Sequence, residues 1–293
     1  GNDTYVLEDA GDQIIEAIDG GIDTVESLLA TTTLVANVEN LRILFAGAAN
    51  GTGNDLDNGM TGNNWANRLD GGAGNDLLLG MFGDDSLYGG TGNDTVDGGF
   101  GSDRLFGGIG DDVVLGGEGI DWLYGEDGND ALQGGNGNDL AYGGNGNDTV
   151  SGDAGNDYLA GGAGNDEIRG GDGNDTIRGD GGTDLLYGGA GADVFQFFTT
   201  ADSQTSGFDR IMDFTRGEDR IDLSPIDADT TIDGNQRFYF SAARPFFSSP
   251  GDVWTRSTLL GAVVEGDVNG DGVADFRILV VGVNELSASE FYL

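Results

Sequence analysis

The chain has 293 residues, a formal net charge of −40, 57 Gly against 3 Pro, and 12 basic residues that are all Arg, with no Lys, His or Cys. Such a negative chain repels nucleic acid and anionic membranes, so neither is an expected partner. Without Cys and His it forms no disulfide, no thiolate or HExxH zinc site, no cysteine nucleophile and no Ser-His-Asp triad. No run of about 18 apolar residues offers a membrane span. Gly1-Asn2-Asp3 reads as the tail of a repeat, with neither initiator Met nor signal peptide before it, so a piece of a longer protein is expected.

Residues 1–52 read as short strands between Gly- and Asp-rich turns. These are Thr4-Tyr5-Val6-Leu7, Gln13-Ile14-Ile15-Glu16 and Asp23-Thr24-Val25, then a Thr/Leu/Val-rich run ending in Val38-Glu39-Asn40-Leu41. With its segments GNDTYV, DTV and NVENL, this block resembles the linking blocks that precede β-rolls in large RTX proteins. That resemblance implies a part that caps or continues a roll.

Residues 71–196 are 14 uninterrupted nonapeptides of the form G-x-x-G-x-D-x-U-x, where U is apolar. Two degenerate copies precede them in register, at 53–61 and 62–70, with Asn58 and Asn67 in the aspartate position. The sixth position is always Asp: Asp76, Asp85, Asp94, Asp103, Asp112, Asp121, Asp130, Asp139, Asp148, Asp157, Asp166, Asp175, Asp184 and Asp193. The fourth is always Gly: Gly74, Gly83, Gly92, Gly101, Gly110, Gly119, Gly128, Gly137, Gly146, Gly155, Gly164, Gly173, Gly182 and Gly191. This nonapeptide is the signature of the calcium-binding repeat of RTX proteins, which the segment resembles throughout.

The residues support the same reading independently. A three-residue x-U-x strand turns U to one face, and the G-x-x-G-x-D segment supplies a sharp turn. Two nonapeptides then make one coil, with the U residues of two sheets meeting in a thin core. Aspartates one coil apart stack into two ladders at about 4.8 Å, where unneutralised carboxylates repel. A hard cation taking carboxylate and backbone oxygens removes that repulsion, and Ca²⁺ suits such a flexible oxygen cage better than Mg²⁺. The candidate ligands are the repeat aspartates with the fourth-position glycines, and roughly 12 ions fill the gaps. A flexible Gly/Asp linker would have no reason to keep U apolar every nine residues. Abundant Gly and a thin core make folding without the ion unfavourable, so coupled folding and binding is expected.

Strand positions seven and nine face outward. On one sheet Tyr88, Phe106, Tyr124 and Tyr142 recur at the coil spacing, beside Trp122, Leu140 and Tyr158; the other sheet shows the mixed set Leu79, Asp97, Leu115, Gln133, Ser151 and Arg169. An aromatic stripe is rarely left in water. The expected cover is residues 1–52 or 197–293, or else an upstream domain or another subunit.

Residues 197–293 resemble the C-terminal domain of serralysin-type secreted metalloproteases, through GADVFQF (191–197), FDRIMDFTRGEDRIDLS (208–224) and EGDVNGDGVADFRILVVGV (265–283). The resemblance implies that Asp202 and Asp209 ligate an ion closing the roll. It also implies that Glu290, Phe291, Tyr292 and Leu293 belong to an uncleaved signal read by type I secretion machinery. The family's zinc-protease domain has no counterpart here. Asp267-Val268-Asn269-Gly270-Asp271-Gly272 looks like the start of an EF-hand loop, but Ile278 stands where the bidentate Glu belongs; a β-hairpin turn is the better reading, a local Ca²⁺ site the other.

The expected fold is all-β: a right-handed parallel β-roll at 53–196, a β-rich block at 1–52 and a C-terminal β cap at 197–293. The expected role is a secreted, non-enzymatic calcium-binding module that folds after type I export, attached to an upstream catalytic or effector domain. The alternative is a structural or adhesive domain of a secreted or cell-surface protein.

Overall fold

The computed structural model describes residues 1–18, 20–241 and 250–293, and the chain divides into two compact units, Gly1–Asn145 and Gly146–Leu293. In the first unit the nonapeptides form a parallel coil. Strand Thr95–Phe100 lies between Leu77–Phe82 and Val113–Glu118, with Val96 opposite both Leu78 and Val114. Ser86–Thr91, Arg104–Ile109 and Trp122–Asp127 build the second sheet in the same register. The U side chains Leu78, Leu87, Val96, Leu105, Val114 and Leu123 are fully buried. They form the thin core that the periodicity implies.

The strands are longer than the expected three residues. Thr95–Phe100 runs through the first Gly of the next nonapeptide and two residues beyond. Its alternation puts Val96 and Gly98 inward, and the pairing skips Gly98 before resuming at Gly99. An inward glycine leaves room for the strand to bend, while its neighbours' backbone groups still find partners one turn away, as Gly92 N–H does on Ile109 O.

Residues 1–52 continue the roll. Thr4–Leu7, Thr24–Ser27, Asn40–Ile43 and Gly59–Thr61 pair successively in parallel, as do Thr31–Thr33, Ala49–Thr52 and Asn67–Ala73. Gln13–Glu16 is not a strand. That segment lies in the loop between two turns, where no strand among the described residues pairs with it, and Ile15 is 88% exposed.

In the second unit Glu167–Asp172 and Leu185–Ala190 pair in parallel on one sheet, and Thr176–Gly182 and Val194–Gln196 on the other. Asp209–Ile211 and Arg220–Asp222 add a further rung to each sheet. Phe276–Val281 then pairs parallel with Asp209–Ile211 but antiparallel with Gly261–Asp267, which pairs antiparallel with Asp252–Ser257. This antiparallel cap buries Trp254, Val264, Phe276 and Ile278. Phe291–Tyr292, the final strand, pairs with Arg220–Asp222. Among the described residues the helical content is one 3-10 turn, Ala288–Glu290, and no helix is long and apolar enough to cross a membrane.

Candidate metal centre

The turn between strands shows why the sequence repeats as it does. At the fourth position Gly92 has φ +123°, and a Cβ there would lie 2.0 Å from the Gly74 carbonyl oxygen of the preceding turn. Only glycine fits such a backbone approach. The following residue is often Asn, and its side chain continues the stack: Asn75 Oδ1 accepts Asn93 N–H at 2.7 Å, and Asn93 Oδ1 accepts Asp111 N–H at 3.1 Å.

The sixth-position aspartates form ladders held in the opposite sense. Asp76 N–H donates to Asp94 Oδ1 and Asp94 N–H to Asp112 Oδ1, both at 2.7 Å. On the other side Asp85 N–H donates to Asp103 Oδ1 at 2.7 Å and Asp103 N–H to Asp121 Oδ1 at 2.8 Å. In the second unit Asp166 N–H reaches Asp184 Oδ1 at 2.8 Å, and Asp175 N–H reaches Asp193 Oδ1 at 3.0 Å. One carboxylate oxygen of each is therefore fixed by the backbone of the turn before.

The second oxygen is different. Oδ2 of Asp76, Asp85, Asp94, Asp103, Asp112, Asp121, Asp166, Asp175, Asp184 and Asp193 is buried and accepts no hydrogen bond. It faces the first-position glycine of its own nonapeptide. A Cβ on Gly71 would lie 2.3 Å from Asp76 Oδ2 and 2.6 Å from the Gly89 carbonyl oxygen; on Gly89, 2.4 Å from both Asp94 Oδ2 and Gly107 O. The missing side chain thus leaves a space on which a carboxylate oxygen and a backbone carbonyl converge. Buried oxygens without donors are costly, and an all-oxygen donor set with no nitrogen or sulfur fits a hard cation. The residues present therefore fit the ion that the repeat implies.

Burial also tells on the carboxyl groups. It raises Asp76, Asp85, Asp112, Asp166 and Asp175 to about 7, and Asp103, Asp121 and Asp193 to about 6, against the pull of the accepted backbone hydrogen bonds. Asp209 is raised by burial and then by the charge of Asp184.

Each ladder extends past the nonapeptides. Asp209 is the next rung after Asp184, accepting its N–H at 2.9 Å, and Asp209 Oδ2 is likewise buried without a donor. Asp219, which the spacing does not single out, follows Asp193 in the same way at 3.0 Å. Upstream, Asn58 and Asn67 occupy the rung with their Oδ1 toward Asn54 and Asn63 N–H, while their amides donate to Glu39 O and Ala49 O. The ladder of Asn58 continues to the start of the chain: Asp23 N–H donates to Glu39 Oε2 at 2.8 Å, and Asp3 N–H to Asp23 Oδ1 at 2.7 Å.

Other expected residues fall elsewhere. Asp202 is engaged in a turn, accepting Phe198 N–H at 2.6 Å, Thr199 N–H at 3.1 Å and the Thr199 hydroxyl. Asp267 and Asp275 fold the loop of an antiparallel hairpin: Asp267 accepts Gly270 and Gly272 N–H, and Asp275 accepts Val268 N–H. Glu290 is buried, pairs with Arg216 at 3.0 Å and accepts Ser287 N–H, while Phe291 is buried and Tyr292 is 49% exposed. Tyr88, Phe106, Tyr124 and Tyr142 stack with centroids 4.9, 5.0 and 5.3 Å apart, half-buried, and Arg68 closes the stack 4.5 Å over Tyr88. Residues 1–52, one expected cover for that stripe, are taken up as turns of the roll.

Among solved structures the chain is similar to the AlgE6R3 subunit of the mannuronan C5-epimerase of Azotobacter vinelandii, with 23% identity over 69% of this chain and 82% of that one and a TM-score of 0.24. No curated protein matches it. The family described as peptidase M10 serralysin C terminal matches residues 1–293, spanning the N-terminal turns, the repeats and the cap alike. The chain belongs to the serralysin C-terminal family of peptidase M10.

Proposed function

We propose that this chain is a calcium-dependent folding module of an exported protein. The observation that carries the reading is the run of buried Asp Oδ2 atoms without donors, each beside the space left by a first-position glycine. The ligands are the fourteen repeat aspartates, with Asp209 and Asp219 as terminal rungs, Asp202 near the closing site, and backbone carbonyls of the repeat glycines. Calcium supplies the positive charge that lets adjacent carboxylates stay ionised at strand spacing, and roughly 12 ions would serve the repeats. The aspartates in turn fix the backbone of the preceding turn through Oδ1, so occupancy and coil geometry are one event.

Cytosolic free calcium is too low to fill such sites, so the chain stays unfolded until it passes the type I secretion machinery and folds outside. Glu290-Phe291-Tyr292-Leu293 is the export signal, and a catalytic or effector domain precedes the chain. The stacked, half-buried rings from Tyr88 to Tyr142 favour a second reading, a structural or adhesive domain that makes contacts through that stripe. Far-ultraviolet circular dichroism with chelator and with millimolar calcium tests the first: disordered spectra should become β-rich on calcium addition. Identical spectra in both would sink it.

A further inference from the structure

Upstream of the nonapeptides at 53–196, the first turn gathers three carboxylates, one of which comes from a loop. One ligand oxygen each from Asp3, Glu16 and Asp23 lies within 4.8 Å of the others. Asp23 is fully buried, and its Oδ2 accepts no hydrogen bond, while its Oδ1 takes Asp3 N–H at 2.7 Å. Asp3 and Asp23 are successive rungs of the ladder. Glu16 comes from the loop between their strands, so this gap holds a third carboxylate where a repeat gap holds two.

Glu16 is held in place rather than left to swing. It accepts the Tyr5 hydroxyl and Ala17 N–H at 2.8 Å, and its own carbonyl accepts Asn37 Nδ2 at 3.1 Å. No Arg among the described residues forms a salt bridge with any of the three carboxylates. Oxygens on opposite sides of a bound calcium are about 4.8 Å apart, twice a bond of about 2.4 Å. Mg²⁺ demands a strict octahedron and dehydrates reluctantly, Ca²⁺ accepts an irregular set of carboxylate oxygens, and zinc prefers nitrogen or sulfur.

We propose that Asp3, Glu16 and Asp23 bind one calcium ion at the first turn, separate from the ions between the nonapeptides. The fixed loop carboxylate makes this gap the more negative, so it retains its ion at lower free calcium than the repeat gaps. Native mass spectrometry of the whole chain across calcium-buffered solutions reads the number bound, with Glu16→Gln, Asp23→Asn and Tyr5→Phe compared to the parent.

Glu16→Gln and Asp23→Asn should each bind one ion fewer, losing the ion that fills first. Tyr5→Phe removes no ligand but loosens Glu16, so it should keep the full number while its first ion fills at higher free calcium than in the parent. Should Asp23→Asn unfold the first turn, the loop variant Glu16→Gln decides alone. Equal numbers and filling order in the parent and Glu16→Gln overturn this site while leaving repeat binding intact. A parent that binds no calcium overturns both this site and the folding role proposed above. Magnesium in place of calcium should leave the first-filling ion unbound, and equal filling by magnesium would overturn the assignment to calcium.

Discussion

Each sixth-position aspartate has two tasks that pull against each other. Its Oδ1 organises the turn before it, and its Oδ2, as at Asp76 and Asp94, is buried beside the first-position glycine of its own nonapeptide. Asn58 and Asn67 show what a neutral rung does: the oxygen turns to an N–H of its own nonapeptide, Asn54 or Asn63, and the amide donates to a backbone carbonyl of the turn before. Asp94→Asn should therefore weaken calcium-dependent folding but favour the metal-free coil, each by about 1–3 kcal/mol. A calcium titration followed by circular dichroism would show a higher midpoint and more residual structure in chelator; a lower midpoint contradicts the ligand role. Protons should act similarly on the metal-free chain. Asp76 is raised from 3.8 to about 7, so the folded form binds its proton more readily than the unfolded form. The resulting stabilisation is complete below the unfolded value and is lost as pH rises through about 7. In chelator, β structure should grow as pH falls from 8 toward 5, and a spectrum unmoved by pH would contradict it.

At the scale of strands and turns, the apolar U positions and the coil of two nonapeptides were legible because both are strictly periodic in the sequence. Strand length was not. G-x-x has little strand propensity by itself, and its extension depends on an identical neighbour one turn away. The same dependence explains Gln13–Glu16, which looks like a strand locally but has no neighbour to pair with. The terminal rungs escaped for a related reason, since Asp219 and Asp23 sit off the nonapeptide spacing. What marks them is the short pattern D-x-U, seen in Asp219-Arg220-Ile221 and Asp23-Thr24-Val25. The turn glycines give the sharpest test of this stacking. Gly92→Ala forces a left-handed residue, costing about 1–2 kcal/mol, and sets Cβ 2.0 Å from a backbone oxygen. Urea unfolding in saturating calcium should show a loss of at least about 2 kcal/mol, against less than about 0.5 kcal/mol for the exposed Thr91→Ala.

For the molecule as a whole, the formal charge of −40 could oppose folding in two ways that ordinary salt separates. Repulsion among exposed carboxylates is screened, since the Debye length falls to about 3 Å at 1 M salt. Repulsion and desolvation of buried rungs are screened far less, and no monovalent ion replaces the missing oxygen contacts. The buried ladders occur in both units, so the second term is distributed along the chain and not confined to one end. Calcium acts on that term by mass action: a site at ten times its dissociation constant contributes about 1.4 kcal/mol, so many weak sites suffice. Extracellular modules commonly bind at about 10⁻⁴–10⁻³ M, so millimolar calcium stands at about one to ten times such constants and each site contributes about 0.4–1.4 kcal/mol. The chain should therefore remain largely unfolded in chelator with 0.5 M sodium chloride and fold steeply on millimolar calcium at low salt. If sodium chloride alone restores the β spectrum, surface repulsion rather than the ladders holds the metal-free chain open.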